Sequence, residues 1–304
     1  MAQHVFCRDL CLERGEPHEG TGNAPQRALL LAWPRGKWRS PRWDSVDMSP
    51  ALAAAIHRAS QTGLHVALVD RVGESGGLPQ LMAQPEAIRA DFASEDALIA
   101  AIDGYAAGTV FAGTHDPRLT ILVCTDSRRD ACCARYGFST YKALVEIADA
   151  SRFHIVQSTH IGGCRFAASL LVFPHRQRYG RMTAGQVPAF LEALGRGQIF
   201  LPAYKGRTDA PEPIQVAELA ALRWAHDHAL AAEPIALDAT GLPHKGADHA
   251  RPGDVIALSA RIGTRRLDIA LRAQTFHIQG NCGIVADNGG THDIRWCLDR
   301  LEAV

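Results

Sequence analysis

The stretch that decides the fold is residues 119–137, LTILVCTDSRRDACCARYG, where an apolar run ends at a cysteine and a polar loop follows. The run LTILVC has the length and apolar character of a buried β-strand. Behind the loop, STYKALVEIADA (139–150) places its apolar side chains on one helix face, and Ser139 is its predicted N-cap. Strand, loop and helix in this order predict an α/β unit.

The next segments extend this unit. Strands are predicted at FHIVQ (153–157), ASLLVFP (168–174) and QRYGRM (177–182). Thr183 and Gln186 then have the spacing of a capping box, which predicts a closing helix. The order of strand, helix, strand, hairpin and helix is that of thioredoxin-like proteins.

Both flanks have α/β character. ALLLAW (28–33) and LHVALVD (64–70) are predicted strands, with a helix over residues 50–61 between them. Towards the end, a helix is predicted to start near Pro213, and strands at DVIALSA (254–260) and RRLDIAL (265–271). We therefore predict an α/β protein in which a central thioredoxin-like domain (113–200) lies between an N-terminal α/β domain (1–112) and a small C-terminal α+β region (201–304).

The composition narrows the class of protein. Of 304 residues, 47% are hydrophobic and 21% charged, and 32 Lys and Arg balance 32 Asp and Glu. That balance argues against a broad nucleic-acid surface. The opening MAQHVFCRDLCLERG lacks the apolar core of a signal peptide, and no apolar run approaches the roughly 20 residues of a membrane span. We therefore expect a cytoplasmic protein, whose eight cysteines are not a disulfide framework.

Four residues of the central segment have metal-ligand chemistry. They are Cys124, Cys133, His160 and Cys164. In a thioredoxin-like fold the two loops that carry them lie side by side, and a set of three sulfurs and one nitrogen suits zinc or an iron–sulfur cluster. The wide first loop favours a binuclear cluster, and Gly162 with Gly163 would let backbone N–H groups approach its sulfurs.

Several motifs resemble the sucrase/ferredoxin-like family. They are CTDSRRDACCARYG, STHIGGCRFAASLLV, YGRM, YKGRT with PEPIQVAELAALR, and the N-terminal EPHEGTGNAPQRALLLAWPRGKW. Members of the family carry a thioredoxin-like [2Fe–2S] ferredoxin domain. Its ligand pattern is a cysteine, eight residues, a second cysteine and later His-x-Gly-Gly-His. The resemblance thus implies ligation by Cys124, Cys133, His160 and, in place of the second histidine, Cys164.

This departure from the family pattern bears on the redox potential. Two-histidine Rieske clusters have potentials of about −150 to +300 mV, against about −400 mV for plant-type all-cysteine clusters. We therefore expect an intermediate potential, with a pH dependence of at most one proton on His160. Arg129 and Asp130 fall on an Arg-Asp pair of the family, where arginine would offset cluster charge and aspartate would fix the loop. The alternative is a solvated polar loop.

The remaining cysteines leave alternatives open. Cys132 could replace Cys133 as a ligand, although the spacing of the family favours Cys133. Cys7 and Cys11 are interpreted as structural, because no partner pair is evident. Cys282 and Cys297 are interpreted as small apolar residues.

The function that the sequence favours is electron transfer. We expect one [2Fe–2S] cluster that exchanges single electrons with a redox protein partner, in a carrier rather than an enzyme with its own substrate. One alternative is a thioredoxin-like thiol–disulfide oxidoreductase, although the usual C-x-x-C at a helix start is absent. Another is a zinc-stabilised binding module without a redox role.

Overall fold

Helices and strands alternate through most of the chain, as the apolar runs predict. The computed structural model describes residues 4–70, 78–238, 240 and 250–304. The helices are α1 (Cys7–Glu13), α2 (Pro50–Gln61), α3 (Glu95–Ala106), α4 (Phe138–Ile147), α5 (Val187–Gly195), α6 (Glu212–Asp227) and α7 (Cys282–Ala286). The strands are β1 (Ala28–Ala32), β2 (His65–Asp70), β3 (Leu81–Gln84), β4 (Ile88–Ala90), β5 (Thr114–His115), β6 (Leu119–Cys124), β7 (Phe153–Ser158), β8 (Leu170–Phe173), β9 (Gln177–Tyr179), β10 (Ile235–Asp238), β11 (Val255–Ile262), β12 (Arg265–Ile278) and β13 (Thr291–Ala303).

The chain divides into two compact units. The larger unit comprises Ala24–Arg176 and Arg181–Gln198, and the smaller comprises Met1–Asn23, Gln177–Gly180 and Ile199–Val304. No helix within the described ranges is both long and apolar enough to cross a membrane.

A large sheet organises the larger unit. Eight of its strands follow one another in the order β5-β4-β3-β1-β2-β7-β6-β8. β6 lies parallel to β7 and antiparallel to β8, and β2 pairs with β7 through Val69 and Ser158. Strands from residues 1–112 and from residues 113–200 therefore share one sheet. The predicted domain boundaries at 112 and 200 stay predictions.

Two helices cover the first half of this sheet. α2 spans residues 50–61, as predicted, and the Ser49 hydroxyl caps it by accepting the N–H of Leu52 at 3.1 Å. α2 and α3 bury one apolar face each against the strands, in a cluster that includes Leu29, Leu31, Leu52, Ile56, Leu68, Leu98 and Ile102. Truncating one such leucine to alanine typically costs about 2–5 kcal/mol.

The helix behind the polar loop starts earlier than the sequence predicts. Ser139 is not its N-cap, because the chain is already helical at Ala131 and passes through a π-helical turn, Cys133–Gly137, into α4. The Asp130 carboxylate accepts the N–H of Cys132 at 2.8 Å and so takes the capping role. π-helical turns inside α-helices are frequent at functional sites.

The other predicted elements of the central segment form close to their expected places. The capping box of Thr183 and Gln186 is present and leads into α5. The buried face of α5 is the predicted one, comprising Val187, Phe190, Leu191 and Leu194.

The smaller unit contains a four-stranded antiparallel sheet in the order β10-β11-β12-β13. α6 packs against one face of this sheet, in a cluster that includes Ala217, Ala221, Leu267, Leu271 and Trp296. Residues 282–301, which the sequence left unassigned, contain α7 and most of β13.

Candidate metal centre

The register of two parallel strands brings the two donor-bearing segments together. Cys124 is the last residue of β6 and pairs with Ser158, the last residue of β7. The carboxyl ends of parallel strands lie at the same edge of a sheet, which is where α/β proteins place their ligands. The loop after Cys124 and the turn that carries His160 therefore lie next to each other.

The four predicted donors converge at this edge. The thiol of Cys133 hydrogen-bonds with Cys124 and with Cys164, and His160 hydrogen-bonds with both Cys124 and Cys164. The three cysteines are at most 3% exposed. His160 is partly exposed. The structure thus brings three buried sulfurs and one imidazole into one network of contacts.

One distance within this set matches metal coordination. Nδ1 of His160 lies 3.5 Å from Sγ of Cys164. Two ligands of a tetrahedral ion, one sulfur at about 2.3 Å and one nitrogen at about 2.0–2.1 Å, lie about 3.6 Å apart. A thiol–imidazole hydrogen bond spans the same gap when no ion is bound. His160 and Cys164 are therefore placed to bind one metal ion together.

The electrostatics of the donors favour cation binding. The hydrogen bond with Cys133, helped by His160 and the Asp126 N–H, outweighs burial and lowers the pKa of Cys124 to about 5. Cys133 and His160 likewise lower the pKa of Cys164 to about 7 against its burial. Burial alone would lower the pKa of His160, but hydrogen bonds and the charges of Cys124 and Cys164 raise it to about 9. The anionic sulfurs therefore share protons with their neighbours, and a metal ion that binds here displaces those protons.

Asp126 joins the two donor-bearing segments. Its side chain is buried, and Oδ1 accepts the backbone N–H groups of Arg128 at 3.1 Å and Arg129 at 3.2 Å. Oδ2 accepts the N–H of His160 at 3.1 Å. Asp126 is not among the residues that the sequence motifs predict for the site. Its signal is an aspartate two residues after the end of a strand, where an Asx turn commonly forms.

The Arg-Asp pair divides into an exposed and a buried member. The Arg129 side chain is exposed. Asp130 is buried, and a carboxylate oxygen of Asp130 lies within 4.8 Å of the sulfurs of Cys133 and Cys164. Asp130 thus accepts a backbone N–H of the loop, as expected of the aspartate in this pair, and also lies beside the donors.

Three glycines shape the backbone around the donors. Gly162 and Gly163 have φ angles of +93° and +77°, which glycine adopts without the strain that a side chain brings. Gly137 lies in the π-helical turn, where an added Cβ would stand 1.9 Å from the carbonyl oxygen of Cys124. The turn can therefore approach the end of β6 only because residue 137 lacks a side chain.

The other cysteines lie outside the converging set. Cys133, rather than its neighbour Cys132, contacts Cys124 and Cys164. Cys132 is buried, as are Cys7 and Cys11 on α1 and Cys282 on α7, whereas Cys297 is partly exposed. The thiol of Cys11 donates to Glu16 at 3.3 Å. None of the eight cysteines, all of which lie in described segments, forms a disulfide.

The sequence of this chain matches a protein family, and its fold is similar to a group of solved structures. Residues 18–206 match the model of the family described as Sucrase/ferredoxin-like. A thioredoxin-like [2Fe–2S] ferredoxin from Aquifex aeolicus is 18% identical, with a TM-score of 0.29 over 31% of this chain and 96% of that one. A second structure of that wild-type ferredoxin is 17% identical, with a TM-score of 0.28 over 30% and 98%. No curated protein matches. The family match includes all four converging donors.

Proposed function

Because the chain belongs to the sucrase/ferredoxin-like family, we propose that it is an iron–sulfur protein that transfers single electrons. Its ligands are Cys124, Cys133, His160 and Cys164, which hold one [2Fe–2S] cluster. The cluster lies in a thioredoxin-like domain over residues 113–200, flanked by an N-terminal α/β domain and a C-terminal α+β region. The observation that carries the proposal is the convergence of three buried sulfurs and one imidazole.

The donor set fits the cofactor. Cysteine thiolates are the usual ligands of iron–sulfur clusters, and histidine replaces cysteine on one iron of Rieske centres. The [2Fe–2S] cluster supplies reversible one-electron chemistry. His160 and Cys164, which lie 3.5 Å apart, would hold one iron, and Cys124 and Cys133 would hold the other. His160 is the most exposed of the four donors, so an iron that it held would be the one nearer the surface.

The surrounding residues keep the site dry and ordered. The N–H of Asp126 donates to the sulfur of Cys124, and such hydrogen bonds set the reduction potential of a cluster. The Asp126 carboxylate fixes the turn at His160. Burial of the three cysteines excludes water from the sulfurs.

Two other functions have one supporting observation each. Three cysteines and one histidine are also a common set for structural zinc. The lowered pKa of Cys124, about 5, and its contact with Cys133 resemble a reactive dithiol pair. Both cysteines are only 1% exposed, which disfavours attack on the disulfide of another protein.

Anaerobic purification followed by metal analysis separates these functions. We expect a red-brown protein with visible charge-transfer bands and about two irons and two sulfides per chain. A colourless protein with one zinc per chain would contradict the proposal in favour of the zinc module. A colourless, metal-free protein that reduces disulfides would support the oxidoreductase.

A pair of adjacent substitutions tests the ligand assignment. Cys133→Ser should change the visible spectrum and lower the iron content, because it removes a donor that contacts Cys124 and Cys164. Cys132→Ser should keep both, and Cys297→Ser serves as a control outside the centre. A loss of iron in Cys132→Ser with normal iron in Cys133→Ser would show that the neighbouring thiol is the ligand.

A further inference from the structure

Within the two segments that carry the candidate metal donors, the charge that reaches the surface is of one sign. The two donor-bearing segments, residues 124–138 and 158–166, contain four arginines: Arg128, Arg129, Arg135 and Arg165. Their two carboxylates, Asp126 and Asp130, are buried and accept backbone N–H groups. Only the positive charges of these segments therefore reach the surface.

Two of these arginines lie close to the exposed donor. The backbone N–H groups of Arg128 and Arg129 bond to one oxygen of the Asp126 carboxylate, and the N–H of His160 bonds to the other. The side chains of both arginines are exposed. Under the proposed function an electron would reach the surface through His160, and the backbone of both arginines lies next to the turn that carries it.

Further arginines from neighbouring segments extend the positive surface. Arg35 donates to the carbonyl oxygen of Thr125, next to Cys124, at 3.2 Å. The guanidinium groups of Arg165 and Arg181 lie 4.4 Å and 5.4 Å from the centre of the Phe166 ring. Arginines from four stretches of the chain therefore lie on the donor-bearing segments or contact them.

The concentration of charge is local. The whole chain has a formal net charge of zero, so its composition does not force a basic surface at this place. Asp70, at the end of β2, is a carboxylate close to Arg35, whose charge acts on it. Asp70 therefore offsets part of the charge of Arg35, while Arg128 and Arg129 have exposed side chains.

We propose that Arg35, Arg128, Arg129, Arg135, Arg165 and Arg181, here termed the arginine rim, form the docking surface for an acidic redox protein. This inference rests on the proposed function and adds the chemical class of the partner. Guanidinium groups bind carboxylates through paired hydrogen bonds. Complementary charges also speed the encounter of two proteins, and salt weakens that effect. A partner that presents Asp and Glu side chains would thus be drawn to the surface where His160 is exposed.

An acidic protein fits the arginine rim better than a nucleic acid does. A nucleic-acid surface requires basic residues that follow an extended phosphate backbone. The rim instead lies on and against the segments of one candidate redox centre, where a partner would have to approach closely to exchange an electron.

Charged oxidants test the rim directly. The purified protein is first reduced with dithionite. Its oxidation by an anion, hexacyanoferrate(III), and by a cation, hexaamminecobalt(III), is then followed by stopped flow. The NaCl concentration is varied from 20 to 300 mM, which shortens the Debye length from about 20 to 5 Å. We expect the rate with the anion to fall with salt and the rate with the cation to rise. Arg128→Glu and Arg129→Glu should each slow oxidation by the anion about tenfold at low salt.

A charge reversal elsewhere in the same unit is the matched control. Arg152 comes just before β7, at the opposite end of that strand from His160. Its guanidinium group donates to the carbonyl oxygen of Gly195, the neighbour of Arg196, so Arg196 lies at that far end. Arg196→Glu should leave both rates unchanged. Equal effects of Arg196→Glu and Arg128→Glu, or rates that do not respond to salt, would overturn the proposal.

A binding measurement keeps the rim separate from the cluster. If the purified protein had no charge-transfer bands, the proposed function would be contradicted before any rate is measured. The arginine rim could still be tested then, by the binding of an acidic polymer. We expect fluorescein-labelled poly-L-glutamate to bind the purified full-length protein at low salt, and Arg128→Glu to weaken that binding. Absence of binding, or stronger binding of a single-stranded oligonucleotide of equal charge, would overturn the assignment to an acidic protein.

Discussion

The Asp126 carboxylate and the backbone N–H of His160 form a hydrogen bond of 3.1 Å that joins the loop after β6 to the turn after β7. The two segments are 34 residues apart in sequence, and each carries half of the donor set. One buried side chain therefore fixes the position of one half of the candidate centre relative to the other.

The first prediction concerns Asp126→Asn. The amide keeps the shape of the carboxylate, but one of the two accepting oxygens becomes an NH₂ group. That group, itself a donor, would face the backbone N–H of either Arg129 or His160, and one hydrogen bond would be lost. Residues that orient metal ligands commonly change metal affinity about 10- to 100-fold when mutated. We expect a lower iron content after purification and faster loss of iron to a chelator. Asp149→Asn, at an exposed aspartate, should match the wild type. Equal iron retention in all three proteins would contradict the role of Asp126.

Much of this centre can be predicted from sequence, because strand ends and ligand chemistry have local signals. The run LTILVC gives β6 its place, and the parallel pairing with β7 then places Cys124 beside the segment of His160. Asp126 and Gly137 were missed for a physical reason. Their roles depend on contacts between segments distant in sequence, with the His160 turn and with the carbonyl of Cys124.

The fold was predictable to a similar degree. Long buried strands and the amphipathic helix α2 were identified, because their periodicity is strong. The short strands β4 and β5 were not, because two or three residues carry no periodicity. The cap was wrongly placed at Ser139, since the π-helical turn hides the true start of the helix behind the loop.

The second prediction concerns Gly137→Ala. The added methyl group would meet the carbonyl oxygen of Cys124, a backbone atom, so either the helix or β6 has to move. Overpacking of this kind typically costs about 1–3 kcal/mol of unfolding free energy. We expect both lower thermal stability and less iron per chain, because Cys124 and Cys133 separate.

A glycine with free space around it serves as the control, because adding a methyl group there should stabilise the protein. Gly104 lies within α3, and an added Cβ would meet no atom within 4 Å. Gly104→Ala should raise the unfolding free energy by about 0.5–1 kcal/mol and leave iron unchanged. If Gly137→Ala behaved like Gly104→Ala, the close approach at Cys124 would not constrain the site.

The third prediction concerns the pH dependence of stability at Asp116. Burial would raise the pKa of this carboxyl, but two side-chain hydrogen bonds from Arg118 at 2.8 Å, with the charges of Arg118 and Arg89, lower it to about 2. The pKa is lower in the folded than in the unfolded chain, so the contribution is present above about pH 4 and is lost as the pH falls towards 2. Allowing for solvent screening, we expect Asp116→Asn to cost about 1–2 kcal/mol at pH 7.

Urea unfolding of wild type and Asp116→Asn at pH 7 and pH 3 measures this effect. The difference in unfolding free energy between the two proteins should narrow at pH 3, where part of the wild-type carboxyl advantage has been lost. Asp103→Asn removes an exposed pair with Arg58 and should cost less at pH 7. A difference that stayed constant between the two pH values would contradict the lowered pKa of Asp116.

The fourth prediction concerns Cys164, where the chain departs from the His-x-Gly-Gly-His pattern of its family. Exchanging a thiolate for a neutral imidazole removes one negative charge from the centre, which favours the reduced state. Because two such exchanges separate plant-type from Rieske potentials by at least about 250 mV, Cys164→His should raise the potential by about 100 mV or more. A potentiometric titration of the visible band measures this shift, with Cys297→Ser as the control. If Cys164→Ala instead left both the spectrum and the potential unchanged, Cys164 would not be a ligand, and its 3.5 Å approach to His160 would be only a hydrogen bond.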